Sequence, residues 1–314
     1  MELAKVLVTG SRGVLGRRLI GELKQRGHQV SGLDLHHEAF PQHEYCRADI
    51  CSFRQLEKVF ETDYDYVYHL AAEFGRKNGE EYYEQLWLTN AVGTRNILEW
   101  QVRRGFRVIM MSSSEIYGDL GQSVLYEALT DHMPVFPPND YAISKWVNEL
   151  QAINFIKMHG SEIVRLRLFN TYGPGEFYHP YRSVICLFCH HALTGQRINV
   201  FRNYYRTFMY LDDLFPTMAN VLDNFKPGEV YNVGGRDFRS VEEVANLVFA
   251  ATGANSGLAD YYDLDYSNSP CKRPDITRAV EDLGHNPITM LEEGIPFTIA
   301  WMRKKLPEQI SDQV

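Results

Sequence analysis

Short apolar runs alternate with longer amphipathic stretches through the first half of the chain. The apolar runs lie at 6–8, 29–33, 66–71 and 108–111, and the helical patterns lie at 14–26, 52–60 and 82–103. Because apolar residues follow one another without alternation, each run predicts a strand that is covered on both faces. Strands of this kind, separated by helices, predict an α/β fold with a parallel sheet between helical layers.

The second half of the chain continues the sheet and adds a smaller unit. Two further apolar runs, 163–169 and 229–233, predict two more strands. Between them, 170–206 is rich in Tyr, Phe, Arg, Gly and Pro and has weak periodicity. We expect a main domain at 1–169, completed by parts of 207–250, and a smaller C-terminal lobe built from 170–206 and 251–314.

Composition and charge narrow the functional classes. The net charge of -8 argues against a nucleic-acid-binding protein, because such proteins need Lys and Arg to neutralise phosphates. No apolar stretch approaches the roughly 20 residues that cross a bilayer, and the N-terminus lacks the layout of a signal peptide. The 5 cysteines lack the even spacing of a disulfide framework. We expect a cytoplasmic protein with neither a nucleic-acid nor a membrane partner.

A cluster of Cys and His residues lies in the second half. Cys186, Cys189, His190 and His191 have the spacing of a redox pair, a haem attachment site or a metal cluster. They lie inside the apolar helical run 184–193, however, where cysteines three apart are usually small core residues. We predict that the two cysteines belong to the core and that the protein has no metal site.

The first predicted strand leads into a glycine-rich turn that opens a helix. Gly10, Gly13 and Gly16 are spaced so that the backbone can turn tightly and approach a pyrophosphate at the helix N-terminus. The second predicted strand leads to Asp34, 18 positions after Gly16, close to the spacing of a ribose-binding carboxylate. A purely structural glycine turn is the alternative. The pattern predicts a dinucleotide site on a Rossmann-type, doubly wound parallel sheet.

Charges around this turn bear on the choice of dinucleotide. Asp34 would repel the 2′-phosphate of NADP, which favours NAD. Arg12, in the turn itself, is able to partner a phosphate, which favours NADP. We expect NAD to be the cofactor.

A Tyr and a Lys near residue 140 have the spacing of an acid/base pair. Tyr141 and Lys145 are four positions apart, so they share one face of a predicted helix. A nearby ammonium group stabilises tyrosinate and lowers the tyrosine pKa from about 10. Such a pair suits hydride chemistry at a carbinol carbon. Ser113, Ser114 and Glu115 follow the strand predicted at 108–111, at the carboxyl end where ligands bind in such sheets.

These segments, taken together, resemble the extended short-chain dehydrogenase/reductase superfamily, specifically its NAD-dependent nucleotide-sugar epimerases, dehydratases and decarboxylases. The resemblance covers nearly the whole chain and includes short motifs at 9–10, 47–50, 69–72, 89–94, 167–174 and 206–213. Each motif is weak alone, but their order and spacing are specific. The resemblance implies that the smaller lobe binds a nucleotide-sugar and that the helices at 81–100 and 141–158 pair in a homodimer.

The resemblance also implies roles for individual residues. Ser113 would hydrogen-bond the sugar hydroxyl being oxidised, Tyr141 would act as the base and Lys145 would support it. The implied cofactor contacts are Gly10, Arg12, Gly13, Val14, Leu15, Gly16, Asp34, Asp49, Ile50, Leu70, Ala71, Ala72, Asn90, Tyr141 and Lys145. The implied substrate contacts are Glu73, Asn170, Arg182, Arg206 and Arg273. Arg206 suits the diphosphate physically, because a guanidinium binds phosphate oxygens bidentately.

Three reactions remain open after the sugar C4 hydroxyl is oxidised. The keto group acidifies C5 and weakens the bond to a C6 carboxylate, so water or carbon dioxide is able to leave, or the hydride is able to return to the other face. Glu115 resembles a functional glutamate of dehydratases and uronate decarboxylases, whereas Ser114 departs from the Asp of dTDP-glucose-type dehydratases. The order of Ser114 and Glu115 resembles GDP-mannose dehydratases and UDP-glucuronate decarboxylases, and 272–277 resembles the decarboxylase tail. The segment 73–77 departs from both patterns.

We expect an NDP-sugar 4,6-dehydratase narrowly ahead of a UDP-glucuronate-type decarboxylase, with an NDP-sugar 4-epimerase third. A non-catalytic NAD-sensing protein is the alternative from another class. A sensor has no need of Ser113, Tyr141 and Lys145, and their presence favours an enzyme.

Overall fold

The computed structural model describes residues 3–37, 43–266 and 268–311. The strands among them are β1 (Lys5–Thr9), β2 (Gln29–Asp34), β3 (Glu44–Arg47), β4 (Tyr66–His69), β5 (Arg107–Ser113), β6 (Ile163–Leu168), β7 (Thr171–Tyr172), β8 (Ile198–Phe201), β9 (Tyr205–Tyr210), β10 (Val230–Val233), β11 (Asp237–Ser240), β12 (Ala259–Tyr262) and β13 (Cys271–Lys272). The α-helices are α1 (Val14–Gln25), α2 (Phe53–Val59), α3 (Arg76–Glu81), α4 (Tyr83–Trp87), α5 (Thr94–Arg104), α6 (Leu129–His132), α7 (Asp140–His159), α8 (Val184–Thr194), α9 (Leu211–Asp223), α10 (Val241–Thr252), α11 (Thr277–Leu283) and α12 (Leu291–Ser311).

A parallel sheet in the order β10-β6-β5-β4-β1-β2-β3 carries the main domain. Val6 and Val8 pack on one face with α1 and α9, whereas Leu7 packs on the other face with α2, α5 and α7. All three side chains are fully buried. Successive strand residues point to opposite faces, so a strand between two helical layers is apolar throughout. The predicted Rossmann-type sheet is confirmed.

The strand order reverses between β1 and β4, and this junction locates the cleft. β1 pairs with β2 on one side and with β4 on the other. In open sheets of this kind, ligands bind outside the carboxyl ends of the strands at the point of reversal. The residues that follow β1 and β4 therefore meet at the mouth of one site.

A separate apolar core underlies the smaller lobe. In its main sheet, β9 pairs with β7, β11 and β13. The helices α8, α10 and α12 pack together around Ile185, Val244 and Ile295. Cys186 and Cys189 are fully buried in this core, as the helical pattern predicted, and both are free thiols. Within 207–250, α9 and β10 join the main domain, whereas β11 and α10 join the lobe.

Several boundaries differ from those predicted. β4 ends at His69 rather than at residue 71, because Leu70 and the next residues leave the sheet to form the mouth of the cleft. The helix predicted at 82–103 contains a π-helical segment, Leu88–Gly93, between α4 and α5. The strands of the smaller lobe and β3 were not predicted, because polar residues interrupt their short apolar runs.

Two further features concern the described residues only. No helix there is sufficiently long and apolar to cross a membrane. No group of three or more His, Cys, Asp or Glu side chains there is arranged to hold a metal ion.

Candidate active site

A cavity of about 1130 Å³ runs from the glycine turn after β1 into the smaller lobe. It collects side chains from segments that are far apart in the chain. The predicted site residues that line it are Gly10, Arg12, Gly13, Val14, Leu15, Gly16, Asp34, Asp49, Ile50, Leu70, Ala71, Ala72, Glu73, Ser113, Ser114, Glu115, Tyr141, Lys145, Asn170, Arg182 and Arg206. Asn90 and Arg273 lie outside the lining.

The glycine turn forms a close-packed cradle at the N-terminus of α1. Gly10 has a φ of +67°, and a Cβ atom there would lie 2.8 Å from the backbone nitrogen of Ala71. A Cβ atom at Gly16 would lie 2.3 Å from the carbonyl oxygen of Gly10. Only glycine fits both positions, so backbone amides rather than side chains face the cavity. These residues fit a dinucleotide whose pyrophosphate lies on the helix N-terminus.

Asp34 closes the cradle at the carboxyl end of β2. Its carboxylate accepts hydrogen bonds from the backbone amides of Arg12, at 2.9 Å, and His36, at 3.1 Å. The Arg12 guanidinium donates to the carbonyl oxygen of His37. The carboxylate is thus fixed where a ribose hydroxyl would be bound, and the Arg12 side chain is tied to the loop beyond it.

A buried hydrogen-bond chain positions the segment after β4. The Thr9 hydroxyl accepts hydrogen bonds from the amides of Leu70, at 3.2 Å, and Ala71, at 3.1 Å. His69 bridges Thr9, at 2.9 Å, and Thr94, at 3.0 Å. Burial, reinforced by the Lys145 charge, lowers the pKa of His69 to about 3, so the ring is neutral. Sequence reasoning included His69 in a motif but did not identify this role.

Tyr141 and Lys145 lie in the first turns of α7, beside Ser113 at the end of β5. The Asn139 side chain caps this helix by accepting a hydrogen bond from the Ala142 amide at 2.9 Å. Lys145 is buried and donates to the carbonyl oxygen of Met111 at 3.2 Å. Burial lowers the pKa of Lys145 to about 8.

The pKa of Tyr141 departs from the expectation. Burial raises it to about 12, although a hydrogen bond with Ser113 acts in the opposite direction. The nitrogen of Lys145 lies 5.9 Å from the centre of the Tyr141 ring. Burial therefore outweighs the Ser113 hydrogen bond, and without the nicotinamide charge the pKa of Tyr141 is raised rather than lowered.

Glu115 forms an ion pair that the sequence did not predict. Its partner is Lys272, which is 0% exposed and lies behind Glu115 as seen from the cavity. Burial opposes ionisation of Glu115, but Lys272, Arg206 and Arg76 outweigh it and hold the pKa below its ordinary value. Burial lowers the pKa of Lys272 to about 8. Glu115 is therefore an ionised carboxylate backed by a buried ammonium.

Residues 263–266 and 268–270, termed the strap here, organise the cations around Glu115. The Asn268 side-chain oxygen accepts hydrogen bonds from Arg206, at 2.8 Å, and Lys272, at 3.3 Å. Asp265 accepts two hydrogen bonds from Arg76, at 2.7 and 2.9 Å. The strap thus brings together β9, β13 and the start of α3.

Arg273, expected to contact the substrate, points away from the cavity. Its guanidinium lies over the ring of Phe238, 5.4 Å from its centre, and the residue is exposed. Lys272, the residue before it, is the basic group of this tail that reaches Glu115. The resemblance therefore indicated this segment, but Lys272 rather than Arg273 is the residue that reaches Glu115.

Asn90 lies behind the cavity wall. It is fully buried in the π-helical segment and exchanges hydrogen bonds with the backbone of Glu73, at 2.8 and 3.0 Å. It also donates to Ser144 at 3.0 Å. Its role in the structure is to hold the segment after β4 against α7.

The remaining predicted substrate contacts in the cavity lining are Asn170 and Arg182. Asn170 has a φ of 37° and donates to the Thr207 carbonyl at 2.9 Å, next to Arg206. The Arg182 guanidinium lies 4.1 Å from the centre of the Phe74 ring. Arg182 therefore connects the lobe to the segment 73–77.

A buried ionic network supports the end of β5 from below. Glu149, on α7, accepts hydrogen bonds from Ser112, from Arg165 at 3.2 Å and from Arg167 at 2.7 and 2.8 Å. Burial opposes ionisation of Glu149, but the two arginines hold its pKa below the ordinary value. Because Ser112 precedes Ser113, the network fixes the strand end relative to the helix that carries Tyr141.

Comparison with known proteins agrees with this geometry. Residues 6–234 match the NAD dependent epimerase/dehydratase family. The chain belongs to this family. Its members are NAD-dependent nucleotide-sugar dehydratases, decarboxylases and epimerases, so the predictions of an enzyme of this class and of NAD as its cofactor are confirmed.

Individual relatives differ in their reactions. The chain is 29% identical to a UDP-N-acetyl-alpha-D-glucosaminuronate decarboxylase of Bacillus cytotoxicus, over 96% of this chain and 98% of the relative. It is 28% identical to a dTDP-glucose 4,6-dehydratase of Streptomyces griseus, over 95% and 94%. Among solved structures, MoeE5 in complex with UDP-glucuronic acid and NAD superposes with a TM-score of 0.84 at 25% identity, over 96% and 99%. The relatives therefore share the family but differ in the reaction.

Proposed function

We propose that the protein decarboxylates a UDP-linked hexuronate through a 4-keto intermediate. The observation that carries the proposal is the cationic surrounding of Glu115, in which Arg76 and Arg206 line the cavity and Lys272 lies behind it. A C6 carboxylate and a diphosphate both need such cations. The relatives that act on or bind uronates support the same substrate class.

The first half of the reaction uses the residues around Ser113. NAD, when bound, supplies a hydride acceptor and returns the hydride later, so there is no net redox change. Tyr141 takes the proton of the C4 hydroxyl, and Ser113 hydrogen-bonds the same oxygen. Tyr141 must be tyrosinate to take this proton, and the charges of Lys145 and of the nicotinamide of bound NAD would stabilise that form against burial. The glycine cradle and Asp34 hold the dinucleotide during both steps.

The second half uses Glu115 and Lys272. In the 4-keto sugar, the C5–C6 bond breaks, carbon dioxide leaves, and the bonding electrons form an enolate across C5 and C4. Lys272 protonates the Glu115 carboxylate, which passes that proton to C5 and is ionised again. A lysine whose pKa is near 8 is a suitable proton source at neutral pH. The hydride then returns to C4, Tyr141 returns its proton to the C4 oxygen, and the product is a UDP-pentose.

A 4,6-dehydratase is the second candidate. Glu115 is held ionised by the cations around it, as a base for the C5 proton must be. The sequence favoured this reaction narrowly, and the cations on the cavity wall shift our preference to decarboxylation. The reaction of a simple 4-epimerase does not require the pair of Glu115 and Lys272. An NAD-sensing protein without catalytic activity does not require Tyr141.

We also propose a homodimer, as the family resemblance implied. The exposed apolar residues Leu88, Val92 and Val102 lie on the segment 88–104, and Ile143 and Leu150 lie on α7. These helices would cover their apolar surface by pairing with a second copy. Light scattering of the purified protein tests this proposal.

Mass spectrometry of sugar products tests the reaction. The NAD-loaded protein is incubated separately with UDP-glucuronate, UDP-N-acetylglucosaminuronate, UDP-glucose and dTDP-glucose. We expect loss of carbon dioxide from a uronate and no change in the hexoses. Loss of water from a hexose would establish the dehydratase instead. An unchanged mass with an altered sugar NMR spectrum would establish the epimerase.

A further inference from the structure

Arg76 lies at the start of α3, on the cavity wall that faces Glu115. Its side chain is 28% exposed, and its charge contributes to lowering the pKa values of Glu115 and Lys272. It belongs to the segment 73–77, which follows β4 and lines the cavity. Arg76 is therefore a cavity-wall cation to which the proposed steps assign no role.

Asp265, whose carboxylate holds Arg76, is fixed through its backbone. The Asp265 amide donates to the Tyr204 hydroxyl at 2.7 Å, and that hydroxyl donates to the Asp265 carbonyl at 3.1 Å. Tyr204 is 5% exposed and immediately precedes β9. The position of the strap at residue 265 is therefore secured through its backbone, and the Asp265 side chain is available to orient Arg76.

The three cations near Glu115 have different partners. Lys272 pairs directly with Glu115. Arg206 is directed at the strap, where Asn268 and the carbonyl oxygens of Ser269 and Pro270 accept its hydrogen bonds. Arg76 is held by two carboxylates, Asp265 at 2.7 Å and Glu80 at 3.8 Å, and the Glu80 side chain is 47% exposed. A carboxylate brought by a ligand would take the place of one of these two on Arg76.

We propose that Arg76 determines substrate specificity by binding the C6 carboxylate of the sugar, with Asp265 holding the guanidinium in place until the substrate arrives. A guanidinium binds a planar carboxylate through two parallel hydrogen bonds, which a neutral C6 hydroxyl does not reproduce. Arg76 thus selects uronates over hexoses. The inference rests on the proposed function, because it names the group that a uronate substrate would meet.

A purely structural role predicts a different behaviour. If Arg76 only ties α3 to the strap, removing either partner of the ion pair has the same consequence. If Arg76 binds the substrate carboxylate, removing Arg76 lowers the preference for a uronate, whereas removing Asp265 takes away a competing anion. The backbone contacts with Tyr204 keep the strap in place in an Asp265→Asn variant.

The test compares two ligands that differ only at C6. Calorimetry measures the dissociation constants of UDP-glucuronate and UDP-glucose for NAD-loaded protein that carries Tyr141→Phe, so that neither sugar is consumed. We expect Arg76→Gln to lower the preference for UDP-glucuronate about tenfold. Arg76→Lys should retain part of the preference, and Asp265→Asn should raise it about threefold.

Two results would overturn the proposal. One is a parallel fall in preference in Arg76→Gln and Asp265→Asn; the other is an equal weakening of both ligands. Carbon dioxide release by the otherwise unaltered protein is measured separately. If Arg76→Gln lowers the preference for UDP-glucuronate and Asp265→Asn raises it, but no carbon dioxide is released, Arg76 recognises the carboxylate and the assigned reaction is wrong. If carbon dioxide is released and the shifts are parallel, the reaction stands and Arg76 is structural.

Discussion

The two ends of the cavity are built in different ways. At the cofactor end, Gly10, Gly16 and Asp34 lie within one β-α-β unit and act through backbone geometry and one carboxylate. At the sugar end, Glu115 and Lys272 come from opposite parts of the chain and meet through an ion pair. The cofactor end is thus local in sequence, whereas the sugar end exists only after the chain has folded.

This difference indicates which part of the cavity can vary between relatives. A glycine turn that approaches a pyrophosphate tolerates no side chain, so the cofactor end is fixed by sterics. The sugar end consists of long charged side chains held by one another. On our proposal, one substitution there, such as at Arg76, would alter which sugar fits while the fold is retained. The four predictions below test that contrast.

The largest effect is expected at the residue that serves both ends. Tyr141→Phe removes the proton acceptor for the C4 hydroxyl, so kcat should fall about a thousandfold. NAD should remain bound, because the glycine cradle and Asp34 are unaltered. Product formation is followed by mass spectrometry, and bound NAD is measured after denaturation of the protein. Tyr126→Phe, at a tyrosine that is 45% exposed, serves as the control. Undiminished turnover would show that Tyr141 is not the base.

The second-largest effect is expected for the buried ionic network around Glu149, which fixes the end of β5 relative to α7. Glu149→Gln leaves Arg165 and Arg167 without their carboxylate, and the free energy of unfolding should fall by about 3 kcal/mol. Since the pKa of Glu149 is lowered, its stabilising effect is present above the unfolded value of about 4.3 and is lost as the pH falls through the lower folded value. Urea unfolding between about pH 7 and pH 2 measures both.

The control for this network is an exposed pair. Arg95 and Glu99 are one helical turn apart, with side chains that are 53% and 37% exposed. Glu99→Gln should change the free energy of unfolding by less than about 0.5 kcal/mol. Equal losses in Glu149→Gln and Glu99→Gln would contradict the structural importance of the buried network.

At the cofactor end, a single methyl group should be sufficient to weaken NAD binding. Gly16→Ala places a Cβ atom against the Gly10 carbonyl oxygen, so the cradle must open, and NAD affinity should fall between about tenfold and a hundredfold. Gly21→Ala, on the same helix, meets no atom within 4 Å. It should leave NAD affinity unchanged and stabilise the helix by up to about 1 kcal/mol. Similar NAD affinities in the two variants, measured by calorimetry, would argue against the cradle.

The smallest effect concerns the pH profile at the sugar end. Lys272 supplies a proton only below its pKa of about 8, so kcat should decline as the pH rises through that value. Lys272→Arg keeps the ion pair with Glu115 but does not titrate there. We expect kcat to fall about tenfold and the decline to move to higher pH. A decline that stays near pH 8 would assign it to Lys145, whose pKa is also about 8.

Much of the main domain followed from the sequence because its signals are short-range. Continuous apolar runs such as Val6, Leu7 and Val8 predicted buried parallel strands, and these strands are present. The strands of the smaller lobe were missed, because β7 and β13 are too short for a periodic pattern and depend on β9 for pairing. Strand length alone did not separate the predicted strands from the missed ones, since β4 and β10 have four residues each and β9 has six.

Local sequence patterns and the family resemblance were sufficient to predict the fold class, the cofactor and the segments that surround the cavity. The side chains that reach Glu115 depend instead on long-range strand pairing. Lys272 and Arg273 are adjacent basic residues in a segment that resembles decarboxylases, and the expectation fell on Arg273. Lys272 lies in β13 beside Arg206 of β9, and successive residues of an extended chain point to opposite sides. Lys272 therefore faces Glu115 and Arg273 faces outward, a choice that strand pairing makes and that no local pattern encodes.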